Sequence, residues 1–309
     1  MKPGRSESDG LPLLILSDGR PGHVNQSVAF ARHLGRDYRL CRVRFRSRWA
    51  KGLSYLLDRC GIETAALFDH DEVTGPFAAV VSAGSDTYYA NRGLARHLGC
   101  KSVAIMLPRG YRLGFDLIVA QEHDNPPRRS NLISLPVNLS WVEPAGHVRP
   151  DGEGGIVSVI VGGVSKRGRI DPARLEGQVR KIFDHFPGQT IWLTTSRRTS
   201  PAVEAMLRRF PFAYAVFYSE RQINPIPDFL LHSDYVFLTD DSTSMISEAV
   251  SWGRSRVEIL PSADGLPAGK PGRFLRRLQQ GGYLHLFEGE PGCADRKVDL
   301  RAMLSEVAL

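Results

Sequence analysis

Residues 17–26 read SDGRPGHVNQ, and they follow an apolar run, Leu11 to Leu16, that stops at Ser17. Gly19 and Gly22 permit tight backbone conformations and close approach by a ligand, and Pro21 stiffens the turn between them. A helix starting near His23 would aim its free N–H groups at the loop, which suits an anion. Gly19, Arg20 and Gly22 are therefore candidates for an acceptor or phosphate loop. Val24, Val28 and Ala31 would form the packing stripe of that helix. His23, outside the stripe, could act as a base or hydrogen-bond a hydroxyl or phosphate. The competing reading is a turn whose glycines serve geometry alone, with His23 as a surface cap. The pattern is neither the P-loop nor GxGxxG, so neither an ATPase nor an NAD enzyme is supported.

A second constellation lies at 239–252, TDDSTSMISEAVSW. With a helix start capped by Asp241 or Ser242, the spacing puts Asp241, Ser244 and Glu248 on one polar face. Met245, Ala249 and Trp252 form the apolar stripe. Hydroxyls and N–H groups at a helix start suit phosphates, and a carboxylate one turn deeper suits ribose hydroxyls. Two other loops favour the same chemistry. Gly162-Gly163-Val164-Ser165-Lys166 pairs glycines with a cation. Thr194–Thr199 offers hydroxyls, Ser196 among them, and the guanidinium groups of Arg197 and Arg198, which suit a diphosphate; the bland alternative is that Arg198 only faces solvent. Each could be an ordinary polar turn; their place at successive strand ends is the stronger signal. Asp86 is a second base candidate after His23. Glu122, His123 and Asp124 come third, as a charged run expected to be solvated loop.

The elements that would position these residues are short apolar runs alternating with amphipathic stretches. Strands are expected at 11–17, 38–45, 77–82, 102–107, 115–120 and 131–136, with helices at 24–35, 49–59 and 86–98. FAAVV and SVAIM lack in/out alternation, which suits parallel strands covered on both faces. Residues 143–155, EPAGHVRPDGEGG, form the best linker candidate, and the βα alternation then restarts from IVSVIV to RVEIL. The pattern predicts an α/β protein of two doubly wound Rossmann-like domains facing a cleft. The expected domains are 1–145 and 155–309, with a final helix that packs back on the first.

The chain has 309 residues and a formal charge of +7, which suggests an anionic partner. Its four cysteines form no CxxC pair, so no zinc site or redox dithiol is signalled. The first ten residues lack a signal-peptide layout, and a cytoplasmic protein is expected. RVRFRSRW at 42–49 is basic enough to face an acidic membrane, although its alternation also fits a strand edge. No basic stretch interleaves aromatics as single-strand binders do, so nucleic acid is not an expected partner.

DGRPGH at 18–23, TTSRRT at 194–199, Asn224-Pro225 and DDSTSMISEA at 240–249 together resemble the elongated-mitochondria (ELM) fission-protein family. Its bacterial members are regarded as glycosyltransferases of the GT-B type, similar to the lipid-linked N-acetylglucosaminyltransferase of peptidoglycan synthesis. The resemblance implies that His23 contacts the acceptor or the diphosphate. It implies that Gly162 and Gly163 face phosphate with Ser196 and Arg197 beside them. Gln222, Ile223 and Asn224 would read the base through main-chain groups, Ser244 and Met245 would open the donor helix, and Glu248 would hold ribose. It further implies a nucleotide-sugar donor, a cell-envelope glycan such as lipopolysaccharide or a lipid-linked acceptor, no bound metal or cofactor, and a place on the inner membrane face. A GT-B sugar-nucleotide epimerase and a non-catalytic membrane-surface scaffold are the alternatives. Ser85 after Gly84, Ile226 after Asn224-Pro225, and Ser255 depart from the family pattern, which bears on the acceptor and the base rather than on the fold.

Overall fold

The computed structural model describes residues 10–110, 112–152, 154–163 and 170–309. It divides into two units, one running to Trp141 and joined by Asp299–Leu309, the other spanning Val142–Val298.

In the first unit, strands β1 (Leu13–Ser17), β2 (Tyr38–Phe45), β3 (Phe68–His70), β4 (Ala79–Ala83), β5 (Lys101–Ile105), β6 (Leu117–Gln121) and β7 (Leu132–Leu135) form one sheet in the order β3-β2-β1-β4-β5-β6-β7. All neighbours are parallel except β3, which pairs antiparallel with β2. Helices α1 (Pro21–His33), α2 (Arg48–Arg59) and α3 (Tyr88–Leu98) connect them. Leu13, Leu14 and Ile15 of β1 are fully buried in sequence, as a strand covered on both faces requires. Helix α1 sits rotated from the expected stripe. Ser27, Phe30 and Ala31 are its buried face, while Val24 and Val28 are only half-buried.

The second unit repeats the plan. Strands β8 (Ile156–Val161), β9 (Thr190–Thr195), β10 (Tyr214–Val216), β11 (Tyr235–Thr239), β12 (Arg256–Leu260) and β13 (His285–Leu286) are ordered β10-β9-β8-β11-β12-β13, all parallel. Helices α4 (Pro172–His185), α5 (Pro201–Leu207), α6 (Ile226–His232), α7 (Thr243–Ser251) and α8 (Gly269–Gln280) link them, and α9 (Leu300–Met303) follows in the first unit's terminal segment. The linker candidate is fastened to this unit. The buried Asp228 of α6 accepts hydrogen bonds from the Gly146 and His147 N–H groups, at 2.9 and 2.7 Å.

Each sheet reverses its strand order once, between β1 and β4 and between β8 and β11. Adjacent crossovers there leave to opposite faces, so a crevice opens at the carboxyl ends of the two strands. The loops singled out in the sequence, at 18–23, 84–86, 162–163 and 240–244, follow those four strands.

Candidate functional site

At the β1/β4 reversal the chain makes a tight turn. Gly19 adopts φ +80°, a conformation that side-chain-bearing residues avoid, and donates its N–H to Ser17 Oγ. The Arg20 N–H is donated to Asp18 Oδ1 at 3.1 Å. Pro21 then opens α1, where its missing N–H costs no hydrogen bond. His23 lies in the first turn, and its Nδ1 is 2.8 Å from Oδ2 of Asp18, whose side chain is only 3% exposed. A carboxylate can only accept, so Nδ1 carries the proton and Nε2 is left as the basic nitrogen. The ring lies over Gly84 of the β4 loop. A Cβ at residue 84 would stand 2.3 Å from His23 Cε1, so only glycine leaves room.

Asp86 is held differently. Lys51 Nζ reaches its Oδ1 at 2.5 Å and the Arg20 guanidinium its Oδ2 at 3.3 Å. Both of its carboxylate oxygens are therefore engaged by cations from other segments. The third candidate cluster is a 3₁₀ turn after β6 in which His123 is buried, which corrects the expectation of a solvated run.

In the second unit the donors of the glycine pair are taken up within the chain. The Gly162 N–H is donated to Thr239 Oγ1 at 2.7 Å and the Gly163 N–H to Asp241 Oδ2 at 3.1 Å. Asp241 also accepts from Thr239 Oγ1 at 2.7 Å and from Arg198 at 3.1 Å. Asp241 therefore leaves the face expected for it beside Ser244 and Glu248, and Arg198 is ion-paired rather than merely solvated. Both glycines are demanded by close approach. A Cβ on Gly163 would lie 1.9 Å from the Arg198 carbonyl oxygen, and one on Gly162 would lie 2.1 Å from Asp241. Lys166 falls outside the described residues.

Ser242 caps α7 by accepting the Met245 N–H. Ser244 is exposed, and Met245 and Trp252 are half-buried, so the inner face is Ile246, Ser247, Ala249 and Val250. Glu248 is also half-buried. It has no hydrogen-bond or ion-pair partner among the described residues, and desolvation pushes its carboxyl up to about 7. An acceptor so placed is open to a donor from a ligand. Ser196 closes the turn after β9, accepting the Arg198 N–H and donating its own N–H to Thr199 Oγ1. Arg197 is exposed. Gln222 is exposed, the Ile223 N–H is turned back to Arg221, and Asn224 Oδ1 accepts the Ile226 N–H at the start of α6.

The structure thus gathers Gly19, Arg20, Gly22, His23 and Asp86 at one crevice. At the other, Gly162 and Gly163 end β8, while Ser242, Ser244, Met245 and Glu248 follow β11. Sequence reasoning missed Asp18, Gly84 and Lys51. The signal for Asp18 was present: a carboxylate at a strand end, five residues before a histidine across a glycine turn. Among the described residues no group of three or more His, Cys, Asp or Glu is placed to hold a metal ion.

The sequence pattern of the family described as Mitochondrial fission ELM1 matches residues 21–306. The chain belongs to that family. No curated protein matches its sequence. Solved structures share its architecture at low identity. A protein from Listeria monocytogenes assigned as a UDP-N-acetylglucosamine 2-epimerase is 11% identical with a TM-score of 0.53, covering 91% of this chain and 85% of that one. UGT89C1 from Arabidopsis thaliana, solved with UDP-L-rhamnose, is 10% identical with a TM-score of 0.52, covering 96% and 92%. MnaA of S. aureus, solved with UDP, is 9% identical with a TM-score of 0.50, covering 91% and 84%. This ELM1-family chain therefore has the two-sheet GT-B fold that glycosyltransferases and sugar-nucleotide epimerases share.

Proposed function

We propose that this ELM1-family chain is a glycosyltransferase that moves a sugar from a nucleotide-sugar donor to a membrane-linked glycan acceptor. The observation that carries the reading is the half-buried Asp18–His23 pair at the β1/β4 crevice. A histidine whose Nδ1 is fixed by a carboxylate presents Nε2 as a general base. In the proposed step the acceptor O–H proton passes to His23 Nε2. The acceptor oxygen bonds to the sugar C1, the C1–O bond to the diphosphate breaks, and the diphosphate leaves with the electron pair. Asp18 stabilises the imidazolium that results. Asp86 serves as a clamp on Arg20 rather than as the base.

The second unit supplies the donor site in this reading. Glu248 accepts hydrogen bonds from ribose hydroxyls, and Ser242, Ser244 and Met245 place the start of α7 toward phosphate. Ser196 and Arg197 lie by the diphosphate, Gln222, Ile223 and Asn224 by the base, and Gly162 and Gly163 shape the cradle floor. Lys166 belongs to the same proposed site. UDP ligands in two fold relatives support trying uridine nucleotides first.

A thermal-shift panel of UDP-, GDP-, CMP- and ADP-sugars tests the reading, because a ligand that binds only the folded chain raises its Tm. At least one nucleotide sugar is expected to stabilise the protein. Glu248→Ala should weaken that ligand by roughly tenfold to a hundredfold, the cost of a charge-assisted hydrogen bond. If no nucleotide shifts the Tm, or Glu248→Ala binds as the parent does, the donor assignment is wrong.

A further inference from the structure

Helix α2 is apolar on its outer face as well as its inner one. Its residues packed against the unit are Ser54, fully buried, and Asp58, which is ion-paired to Arg92 at 2.5 Å and to the buried Arg112 at 2.7 Å. Ala50 and Leu57 also pack inward, but three larger apolar residues face the other way. Trp49 is 89% exposed, Leu56 60% and Leu53 44%, and at spacings of four and three they form a single stripe. A helix of a water-exposed fold buries such a stripe; here a buried salt-bridge network takes its place and Trp49 is left outside.

The approach to that helix is basic. On β2, Cys41 and Val43 are buried while Arg42 and Arg44 are exposed, as is Arg46 just beyond the strand. Arg48 opens α2, Arg59 closes it, and both are exposed, with no acidic residue in the first turn. Asp69 is shared by Arg44 and Arg46, so one carboxylate answers two guanidinium groups. An apolar stripe bordered by arginines is complementary to a surface with anionic headgroups over an acyl interior. The helix has 12 residues. That makes it about 18 Å long, enough to lie in such an interface and too short to cross it.

We propose that the outward face of α2, with the arginines that lead into it, docks the first unit on an anionic lipid bilayer, Trp49, Leu53 and Leu56 entering the headgroup–acyl boundary. The surface deepens the reading of a membrane-linked acceptor and rests on it for its purpose. A cavity of about 420 Å³ adjoins the same strand, lined by Asp18 and Gly19 of the histidine loop, by Arg42 and Arg44, and by the carboxylates Asp69 and Asp71.

The test is co-sedimentation of the full chain with phosphatidylglycerol-containing vesicles and with pure phosphatidylcholine vesicles, alongside the nucleotide thermal shift. The parent is expected to bind the anionic vesicles and to release them as ionic strength rises. The triple variant Trp49→Ser, Leu53→Ser, Leu56→Ser should bind them about tenfold more weakly or worse. Arg44→Gln with Arg48→Gln should lose roughly tenfold through charge alone. Both variants should keep the parent's Tm and nucleotide response, since the altered residues are exposed. Equal binding of parent and triple variant overturns the proposal, as does failure of the parent to bind anionic vesicles. A parent dimer in light scattering that the triple variant turns to monomer would assign the face to a second copy and also overturn it. Anionic-vesicle binding by a chain that answers to no nucleotide sustains the docking surface and counts against the enzymatic reading alone.

Discussion

The two crevices are built on the same strand order and use glycine for opposite ends. At β1/β4 the turn is open. Gly22 has nothing within 4 Å of where a Cβ would be, and the conformation of Gly19 is set by its own φ. The aimed group, His23, is held by a carboxylate and still has a free nitrogen. At β8/β11 the glycines are crowded, and their N–H groups are spent on Thr239 and Asp241. The open group there is Glu248, one turn into α7. A glycine-rich strand end is thus a poor guide to function by itself. Internal acceptors meet N–H groups in both turns, and what separates the two is how closely neighbouring atoms crowd the glycines.

The comparison breaks first at His23. His23→Ala should still fold and should lower sugar transfer by about 10²–10⁴, the range for loss of a general base. Release of nucleoside diphosphate in the presence of membrane glycolipid measures it, and full activity would make the histidine a turn residue. Next comes Gly163→Ala. The added methyl meets backbone rather than a movable side chain. A loss of about 3 kcal/mol in urea denaturation is expected, and a neutral result would show that the second loop is as open as the first.

A smaller effect concerns charge. The Glu248 carboxyl is raised from its ordinary 4.5 to about 7. Between those values the unfolded chain has released the proton while the folded chain keeps it. Stability from this group is therefore present below about pH 4.5, falls as pH rises to about 7 and is level above. Relative to Glu248→Gln, the unliganded parent should lose about 2–3 kcal/mol between pH 5 and pH 8; parallel stability curves would show that the carboxyl is ordinarily hydrated. The smallest effect is Gly22→Ala, in the first turn of α1 with open space around it. It should be neutral or stabilising by about 0.4–1 kcal/mol, and a marked loss of stability would close the open turn.

Most of the fold was legible because continuous apolar runs such as LLILS and IVSVIV can satisfy water's exclusion only inside a covered parallel sheet. Strand β3 was not, since its three residues are too few for a pattern and owe their conformation to pairing with β2. Helix α8 was hidden by its opening Gly-Lys-Pro-Gly and by arginines between its buried Phe274, Leu275 and Leu278. For the site, loop positions followed from strand ends, whereas partners did not. Asp241 has helical spacing to Ser244, yet its carboxylate is drawn to the neighbouring strand ends. Periodicity finds the stripe Trp49, Leu53 and Leu56 but not its direction, which depends on Asp58 meeting Arg92 and Arg112 from distant segments.

Gly84 touches the His23 ring and has a backbone open only to glycine, at φ +88°. Two independent constraints, one steric and one conformational, therefore converge on a residue with no side chain. In a saturation mutagenesis map, position 84 should be as intolerant as His23 itself, although it offers no chemical group. A column of uniform failure there would mark where the imidazole rests, so the resting place of the base can be found by genetics without any substrate in hand.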